Sequence, residues 1–305
     1  MQQSSLGYLT DIHLMNRTPR SRNITNFLEY QLLQLKKAFT FYSEQGINTI
    51  LMGGDLFDEY TSFNSEDMAK IAKVFNSFDF NYYSCCGNHD LKGNSLESLE
   101  VQKTSLYLLT KLVPKFYCTI DKQIELNQLK IRLSSWKCDT YNKVMNGIFD
   151  ESNDILVLHA PITVEPTDFT KGVKELKVTN NRLILLGDQH NGVPVTKSKG
   201  CTWYSPGAFT KQSAPEKQTK VPTPIIRIGD SINIEMHFLK EEEETWMTKE
   251  TPASVSTHNV VGSIKKLKGV ESEDHNLPEV IKTVANKIST REDALEEVLQ
   301  RINNE

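Results

Sequence analysis

Short apolar runs alternate with longer amphipathic stretches along the first half of the chain. The runs near residues 6–10, 47–52 and 80–86 have the length of buried strands. Between the first two, residues 26–45 repeat their apolar side chains at helical spacing, and Gly46 ends the repeat. This order predicts a βαβ unit with a right-handed crossover, and therefore an α/β fold.

Two more helices are predicted on the same half. Asn64 and Ser65 are suitable caps for a helix that runs to about residue 78. A third helix is predicted over about residues 96–112, with leucines on more than one of its faces. Such an excess of apolar side chains is typical either of deep burial or of a dimer surface.

The pattern changes at residue 116. Short alternating strands over residues 116–136 predict the start of a second sheet. A hairpin is predicted at Gly229-Asp230, between residues 224–228 and 232–238. Further buried strands are predicted at residues 154–158 and 182–187, and residues 202–207 add a strand and a tight turn.

The C-terminal residues have a different composition. Residues 1–240 are predicted to form one domain, and residues 241–275, rich in Thr, Ser, Lys and Glu, a linker or reduced capping region. Residues 276–305 carry two amphipathic helical patterns, at 277–288 and about 289–302. We interpret this helical pair as a partner-docking segment, because a short pair cannot bury its own apolar stripe well. The alternative is that it packs back on the preceding domain.

Composition and charge indicate a cytoplasmic protein. No apolar run approaches the ~18 residues of a membrane span, and the first residues lack the pattern of a secretory signal. The five scattered cysteines form no Cys-x-x-Cys pair, which predicts reduced thiols. The net charge of −4 is concentrated in residues 241–305, with 8 basic and 14 acidic side chains. The remainder is close to neutral, so charge does not exclude a polyanionic partner.

Five predicted strands end in side chains that bind metal ions. They are Asp11 and His13, then Asp55, Asn88 and His159, and finally Asp188 and His190. Strand ends of an open α/β sheet form its ligand-binding edge. Any one of these residues alone is more simply a turn or surface side chain. Five strand ends in succession favour a shared site, because no folding requirement places such side chains there.

The ligand types indicate which ions the site would take. Carboxylate, imidazole and amide oxygen suit a hard to borderline divalent ion, Mn²⁺ first, with Mg²⁺ or Fe²⁺ as alternatives. No thiolate is among them, which argues against structural zinc. Because there are more ligands than one ion needs, we expect two ions roughly 3.5–4 Å apart. Asp55 is the natural bridge between them.

The ordered side chains resemble the motifs of the calcineurin-like metallophosphoesterases. These motifs are Asp11-x-His13, Gly54-Asp55-x-x-Asp58, Gly87-Asn88-His89-Asp90, His159 and Gly187-Asp188-x-His190. Within that superfamily Asp-Ile-His-Leu, Gly-Asp-Leu-Phe-Asp and residues 204–209 resemble the SbcD nucleases, which include the meiotic recombination eleven nuclease and recombination subunits of large phages. The resemblance implies a four-layer α-β-β-α sandwich, followed here by the C-terminal linker and helical pair.

The resemblance also implies a role for each residue. Asp11, His13 and His190 would hold the first ion, Asn88 and His159 the second, and Asp55 both. His89 would contact the scissile phosphate and assist the leaving oxygen, with Asp90 orienting it and Asp58 supporting the ligands from behind. The family normally reads Gly-His-x-His in its last motif, and Asp188 stands where the first histidine would be. Asp188 either binds the second ion and favours harder metals, or it weakens the binding of the second ion.

The function implied is that of a Mn²⁺-dependent DNA nuclease acting in DNA repair, recombination or end processing. It would combine double-strand exonuclease and single-strand endonuclease activities, in a homodimer, with an SbcC-like ATPase whose coiled coil would receive residues 277–302. In a phage it would work in the host cytoplasm. Two alternatives stay open at this point. One is a phosphoesterase that acts on phosphoprotein, cyclic nucleotide or pyrophosphate, and the other is a nonenzymatic subunit with a degenerate site.

Overall fold

The computed structural model describes residues 3–20, 22–61, 63–101, 104–178, 180–210 and 220–240. All of them belong to one compact unit, Met1–Trp246. The predicted linker and helical pair, residues 241–305, lie outside the described residues. None of the helices in the described ranges combines the length and the apolar character that crossing a membrane requires.

The described residues form sixteen strands, five α-helices and one 3₁₀ helix. The strands are β1 Ser4–Leu9, β2 Thr49–Met52, β3 Asn81–Ser84, β4 Phe116–Cys118, β5 Asp121–Leu126, β6 Leu129–Ser134, β7 Asn153–His159, β8 Ile162–Thr163, β9 Lys171–Gly172, β10 Asn181–Gly187, β11 Val193–Ser198, β12 Cys201–Ser205, β13 Lys220–Pro222, β14 Ile225–Ile228, β15 Ile232–Glu235 and β16 Phe238–Lys240. The helices are α1 Phe27–Glu44, α2 Ser65–Asn76, α3 Ser98–Val101, α4 Ser105–Leu112 and α5 Asp139–Met145, with the 3₁₀ helix at Lys92–Asn94.

Two six-stranded sheets form the body of the molecule. The first has the order β15-β14-β1-β2-β3-β4, and the second β11-β12-β10-β7-β6-β5. Strands β1 to β4 are parallel, as are β6, β7, β10 and β12. The strands toward the sheet edges pair in antiparallel fashion. In the first sheet β14 pairs with β1 and β15 with β14, and in the second β5 pairs with β6 and β11 with β12. The carboxyl ends of the parallel strands therefore share one rim within each sheet.

Three apolar clusters hold the layers together. Side chains such as Tyr8, Val157 and Leu185 are buried in the core that contains residues of both sheets. A second cluster packs α1, α2 and α4 on the first sheet, and a third packs α5 and residues 160–178 on the second. Burial of apolar surface on both faces of each sheet is the main stabilising contribution to such a fold. The predicted four-layer α-β-β-α sandwich is confirmed.

Several local predictions are confirmed as well. Helix α1 begins after Asn26, whose side chain accepts a hydrogen bond from the Glu29 backbone amide at 3.2 Å. Helix α2 begins after Asn64, which accepts from the Asp67 amide at 2.9 Å. Each cap satisfies a backbone donor that the first helical turn leaves free. The predicted hairpin at residues 229–230 joins β14 to β15.

Other local predictions were wrong. The third helix is divided into α3 and α4, because the Thr104 hydroxyl accepts from the Tyr107 amide at 3.2 Å and starts a new helix. Strand β4, expected in the second sheet, pairs with β3 in the first. Helix α5 was not predicted; it is capped by the Cys138 sulfur, which accepts from the Tyr141 amide at 3.4 Å.

Candidate metal centre

The seven predicted ligands lie together where the strand ends of the two sheets face each other. Asp11 and His13 follow β1, Asp55 follows β2, and Asn88 follows β3 on the first sheet. His159 ends β7 on the second sheet, and Asp188 and His190 follow β10 there. Hydrogen bonds join the loops across the gap, since the Asp188 amide donates to both carboxylate oxygens of Asp11 at 2.9 and 3.1 Å. The structure therefore brings the seven side chains together at one place.

One group of ligand atoms, the first half of the centre, consists of Asp11, His13 and His190. Their candidate atoms all lie within 4.8 Å of one another. The Nε2 atoms of His13 and His190 are 3.1 Å apart. Two imidazole nitrogens directed at the same small space, beside a buried carboxylate, fit a divalent cation well.

A second group, the second half of the centre, surrounds the Nε2 atom of His159. The Asn88 Oδ1 atom lies 3.1 Å from it, and the nearest Asp188 oxygen lies at 3.8 Å. The Nδ1 atom of His159 donates to the Gly53 carbonyl oxygen at 2.7 Å. That bond fixes the tautomer and leaves Nε2 with the lone pair that a metal ion needs.

Asp55 lies between the two halves. Its Oδ2 atom is 3.6 Å from the Nε2 atom of His13 and 3.4 Å from that of His159. Its Oδ1 atom accepts a hydrogen bond from the His89 backbone amide at 2.9 Å. One oxygen therefore faces both halves while the other is held by the backbone, which suits a bridging carboxylate.

The backbone around these side chains is unusual. Asp11, His13, Asp55 and Asp188 all have positive φ angles, of 49°, 46°, 50° and 74°. Residues other than glycine adopt this region rarely and at a cost of about 1–3 kcal/mol each. Cross-loop hydrogen bonds hold the conformation, because the amides of Asp11 and His13 donate to the carbonyl oxygens of Gly54 and Asp55. Strain concentrated at four predicted ligands is typical of a functional site.

Glycine is required where the loops touch. A Cβ atom on Gly87 would overlap the Asp55 carboxylate. Because Gly87 has none, the loop that carries Asn88 and His89 can lie directly against Asp55.

His89 is the exposed member of the site. Its Nδ1 atom donates to the Asp58 carbonyl oxygen at 2.7 Å, so the neutral ring presents Nε2 as its free nitrogen. Its ring packs edge-on against His13, with centroids 4.8 Å apart. An exposed imidazole fixed beside the ligand cluster is in a position to contact a substrate.

Asp90 has its hydrogen-bond partners in the backbone of two loops. Its carboxylate accepts hydrogen bonds from the backbone amides of Phe57 at 3.1 Å and Gly87 at 2.9 Å. The partner of the His89 ring is the Asp58 carbonyl oxygen instead. Burial and the nearby charge of Asp55 raise the pKa of Asp90 to about 6. Asp90 therefore joins the loops after β2 and β3, and its role in orienting His89 stays a prediction.

Asp58 lies behind the first half of the centre. One carboxylate oxygen is 3.6 Å from the Nδ1 atom of His13, and the other accepts from the Arg17 guanidinium at 2.8 Å. Burial alone would raise the pKa of Asp58, but the adjacent His13 and Arg17 outweigh it and lower that pKa. Asp58 therefore lies between His13 and Arg17, and its supporting role stays a prediction.

The electrostatics of the site favour cations. Burial acts to lower the pKa of His13, yet Asp58, Asp55 and Asp11 outweigh it and raise the value to about 9. The pKa of His159 is raised in the same way, mainly by Asp55. Burial raises the pKa of Asp188 to about 6, and the charge of Asp11 adds to the effect. Buried carboxylates that would otherwise need protonated histidines beside them are well matched to divalent ions.

Sequence reasoning missed two residues that hold the site. The buried Gln31 side chain of α1 donates to the carbonyl oxygens of Ile12 and His13, at 3.1 and 2.9 Å, and accepts from the Met15 amide. The Thr10 hydroxyl donates to Asp11 at 2.8 Å. A polar side chain on the apolar face of α1 was a readable signal for Gln31.

The comparisons with known proteins identify a family and similar folds. The family model of the calcineurin-like phosphoesterases matches residues 5–192. None of the curated proteins matches the chain. A dimetal phosphatase of Danio rerio is 9% identical over 80% of this chain and 99% of its own, with a TM-score of 0.50. An archaeal phosphodiesterase is 12% identical over 77% of this chain and 100% of its own, with a TM-score of 0.42. At these identities the likeness concerns the fold alone.

Proposed function

The chain belongs to the calcineurin-like phosphoesterase family, and from this premise we propose that it is a Mn²⁺-dependent DNA nuclease of the SbcD type. The family accounts for hydrolysis of a phosphoester bond at a metal centre. The choice of DNA as substrate rests on the resemblance of three segments to SbcD nucleases, residues 11–14, 54–58 and 204–209.

The observation that carries the proposal is the position of residues 204–209. The Phe209 amide donates to the Asp11 carbonyl oxygen at 3.1 Å, and the Ala208 amide donates to that of His190 at 3.0 Å. The segment with SbcD character therefore lies against the first half of the centre. Its resemblance concerns the active site itself, which favours a shared substrate class.

The ions would be held by the two halves already described. Asp11, His13 and His190 would bind one, Asn88, His159 and Asp188 the other, and Asp55 both. When bound, two divalent ions supply a nucleophile from water and positive charge for the phosphoryl oxygens.

His89 would act on the leaving group. With its Nδ1 proton donated to the Asp58 carbonyl oxygen, Nε2 is the nitrogen that contacts the phosphate. When protonated, it donates that proton to the departing oxygen, which would otherwise leave as a costly alkoxide. Asp55 holds the His89 backbone and Asp58 the ring, so the imidazole is oriented at two points.

The test is digestion of end-labelled duplex DNA in Mn²⁺ by the wild type and by His89→Gln. We expect the variant to lose about 10²–10⁴-fold in rate while it binds Mn²⁺ as tightly as the wild type. His237→Gln is the matched control, because His237 is half-buried, lies beside β15 and touches none of the predicted ligands. If the wild type leaves DNA intact but cleaves a small phosphoester, the proposal is wrong and a non-DNA phosphoesterase replaces it. If the wild type cleaves neither substrate, the proposal is wrong and the interpretation as a nonenzymatic subunit is favoured.

The proposed partners are a second copy of the chain and an SbcC-like ATPase with a coiled coil. Residues 277–302, the proposed docking segment, carry apolar side chains at helical spacing. We expect deletion of residues 270–305 to abolish co-purification with the ATPase and to leave basal Mn²⁺ nuclease activity. An intact complex after the deletion would refute the assignment.

A further inference from the structure

A groove of about 420 Å³ lies where β4 ends the first sheet and β5 ends the second. Its lining includes Tyr83, Tyr107 and Tyr117 together with Lys111 and Lys122. No acidic side chain is among the described residues that line it. The groove is therefore aromatic and positively charged, and it is separate from the predicted ligands.

Two of its tyrosines form a stacked platform. Tyr83 and Tyr117 are register partners on the neighbouring parallel strands β3 and β4, so their side chains share one face. Their rings are nearly parallel, with centroids 5.1 Å apart and planes inclined by 21°. Tyr83 is half-buried, whereas 45% of Tyr117 is exposed. A supported ring with an open surface is suited to stacking with another planar ring.

The two lysines supply free positive charge. Lys111 lies on α4 with its ammonium 4.9 Å from the centre of the Tyr107 ring, and Lys122 is exposed on β5. Within the described ranges neither ammonium forms an ion pair with a carboxylate. Both charges are therefore available to phosphates of a ligand.

One residue that lines the groove contacts the residue that precedes the loop of Asn88 and His89. Cys118, which lines the groove, has its sulfur 3.3 Å from that of Cys86. Cys86 comes directly before Gly87-Asn88-His89. The wall of the groove is thus connected through Cys118 and the buried Cys86 to the loop that carries His89.

We propose that this groove binds a single-stranded segment of the DNA substrate, with a base stacked on Tyr117 and phosphates near Lys111 and Lys122. This inference rests on the proposed nuclease function and adds a binding site outside the metal centre. Exposed aromatic rings beside unpaired lysines are the combination that single-strand-binding surfaces use.

The platform is tested by fluorescence anisotropy of a fluorescein-labelled dT20 oligonucleotide with the full chain in EDTA, where cleavage cannot occur. We expect Tyr117→Leu to raise the Kd about fivefold or more, and Tyr117→Phe to bind like the wild type. Phe238→Leu is the matched control, since Phe238 is 48% exposed and lies on β16. Melting temperatures of all variants establish that they are folded. Wild-type affinity in a folded Tyr117→Leu protein would overturn the proposal.

Two further arms separate stacking from charge. An abasic oligonucleotide of the same length should bind the wild type and Tyr117→Leu equally; an equal loss on both ligands would contradict base stacking. The double variant Lys111→Gln/Lys122→Gln should reduce the slope of log Kd against log salt by about 1.4, at about 0.7 per phosphate contact. The control is the double variant Lys36→Gln/Lys73→Gln, which replaces exposed lysines of α1 and α2. It should leave the slope of log Kd against log salt unchanged.

The outcome also distinguishes this proposal from the nuclease proposal. If the wild type binds dT20 through Tyr117 but cleaves no DNA in Mn²⁺, the groove stands and the nuclease function fails. If it cleaves DNA while the Tyr117 and lysine variants bind dT20 normally, the groove proposal fails alone. A Tyr117→Leu variant that changes oligomeric state without changing DNA affinity would assign the groove to contact between copies and also overturn the proposal.

Discussion

The two halves of the metal centre share one rim of the sandwich but differ in chemistry and burial. The first half combines one carboxylate with two imidazoles, and Asp11 and His13 within it are buried. The second half has one imidazole, that of the buried His159, with the amide of Asn88 and the carboxylate of Asp188, both partly exposed. The first half is therefore the more enclosed and the richer in nitrogen.

Residue 188 changes the ligand chemistry of the second half while the fold around it is kept. Asp188 directly follows β10, at the position where the family's pattern has histidine, and its backbone amide donates to Asp11. Its oxygen is 3.8 Å from the His159 Nε2 atom. A carboxylate there makes the second half an oxygen-rich site, which suits Mn²⁺ or Mg²⁺ better than softer ions. We expect the first half to bind its ion more tightly.

The largest expected effect comes from Asp55, because it belongs to both halves. Asp55→Asn keeps the shape but removes the charge that faces both His13 and His159. We expect Mn²⁺-dependent turnover to fall by about 10³-fold or more, and titration calorimetry to show weakened binding of both ions. Asp67→Asn, which changes an exposed carboxylate of α2, is the control. Loss of one binding event with the other unchanged would contradict the bridging position.

Asp58 tests the first half alone. Asp58→Asn removes the carboxylate 3.6 Å from the His13 Nδ1 atom but leaves the backbone carbonyl that binds His89. Carboxylates behind a ligating histidine typically contribute 10–100-fold in metal affinity. We expect a loss in that range for the tighter Mn²⁺ binding event, measured by calorimetry. Arg17→Gln, which removes the other partner of Asp58, should lose less Mn²⁺ affinity than Asp58→Asn. Equal losses of affinity would show that the effect is not specific to His13.

The location of the site was predictable, because metal-ligand side chains follow successive predicted strands and parallel strands have their carboxyl ends at one rim. The sequence pattern also predicted α1, α2 and the β14–β15 hairpin, because caps and turns act over a few residues. Sheet membership of β4 was not predictable, since a short alternating strand fits the edge of either sheet. Only its pairing with β3 decides the matter.

Finer features of the site depend on contacts between loops. The positive φ angles of Asp11 and His13 are imposed by hydrogen bonds to residues 54 and 55, which no local pattern encodes. The same holds for Asp90, whose role the resemblance implied but whose hydrogen-bond partners only the fold shows. Its carboxylate is used by two backbone amides.

Replacement of Asp188 sharpens the contrast between the halves. Asp188→Asn should weaken the weaker Mn²⁺ binding event by about tenfold or more, because a neutral amide replaces a charged ligand. Asp188→His, which restores the family's usual residue, should recover Mn²⁺ binding and reduce the activity supported by Mg²⁺ relative to Mn²⁺. Calorimetry and parallel assays in the two metals measure both changes. An unchanged metal preference in Asp188→His would show that residue 188 does not determine the chemistry of the second half.

A smaller effect is expected on the pH dependence of stability, because metal binding displaces protons from the histidines. In the metal-free folded protein the pKa of His13 is about 9, above its ordinary value of 6.5. Its contribution to stability is therefore complete below pH 6.5 and is lost as pH rises through 9, and His159 acts in the same direction. Asp188, with a pKa raised to about 6, titrates below this window. Since metal ions require neutral imidazole, the melting temperature should fall from pH 6.5 to 9.5 in EDTA but rise in Mn²⁺. Parallel slopes in the two conditions would show that the histidines do not exchange protons for metal.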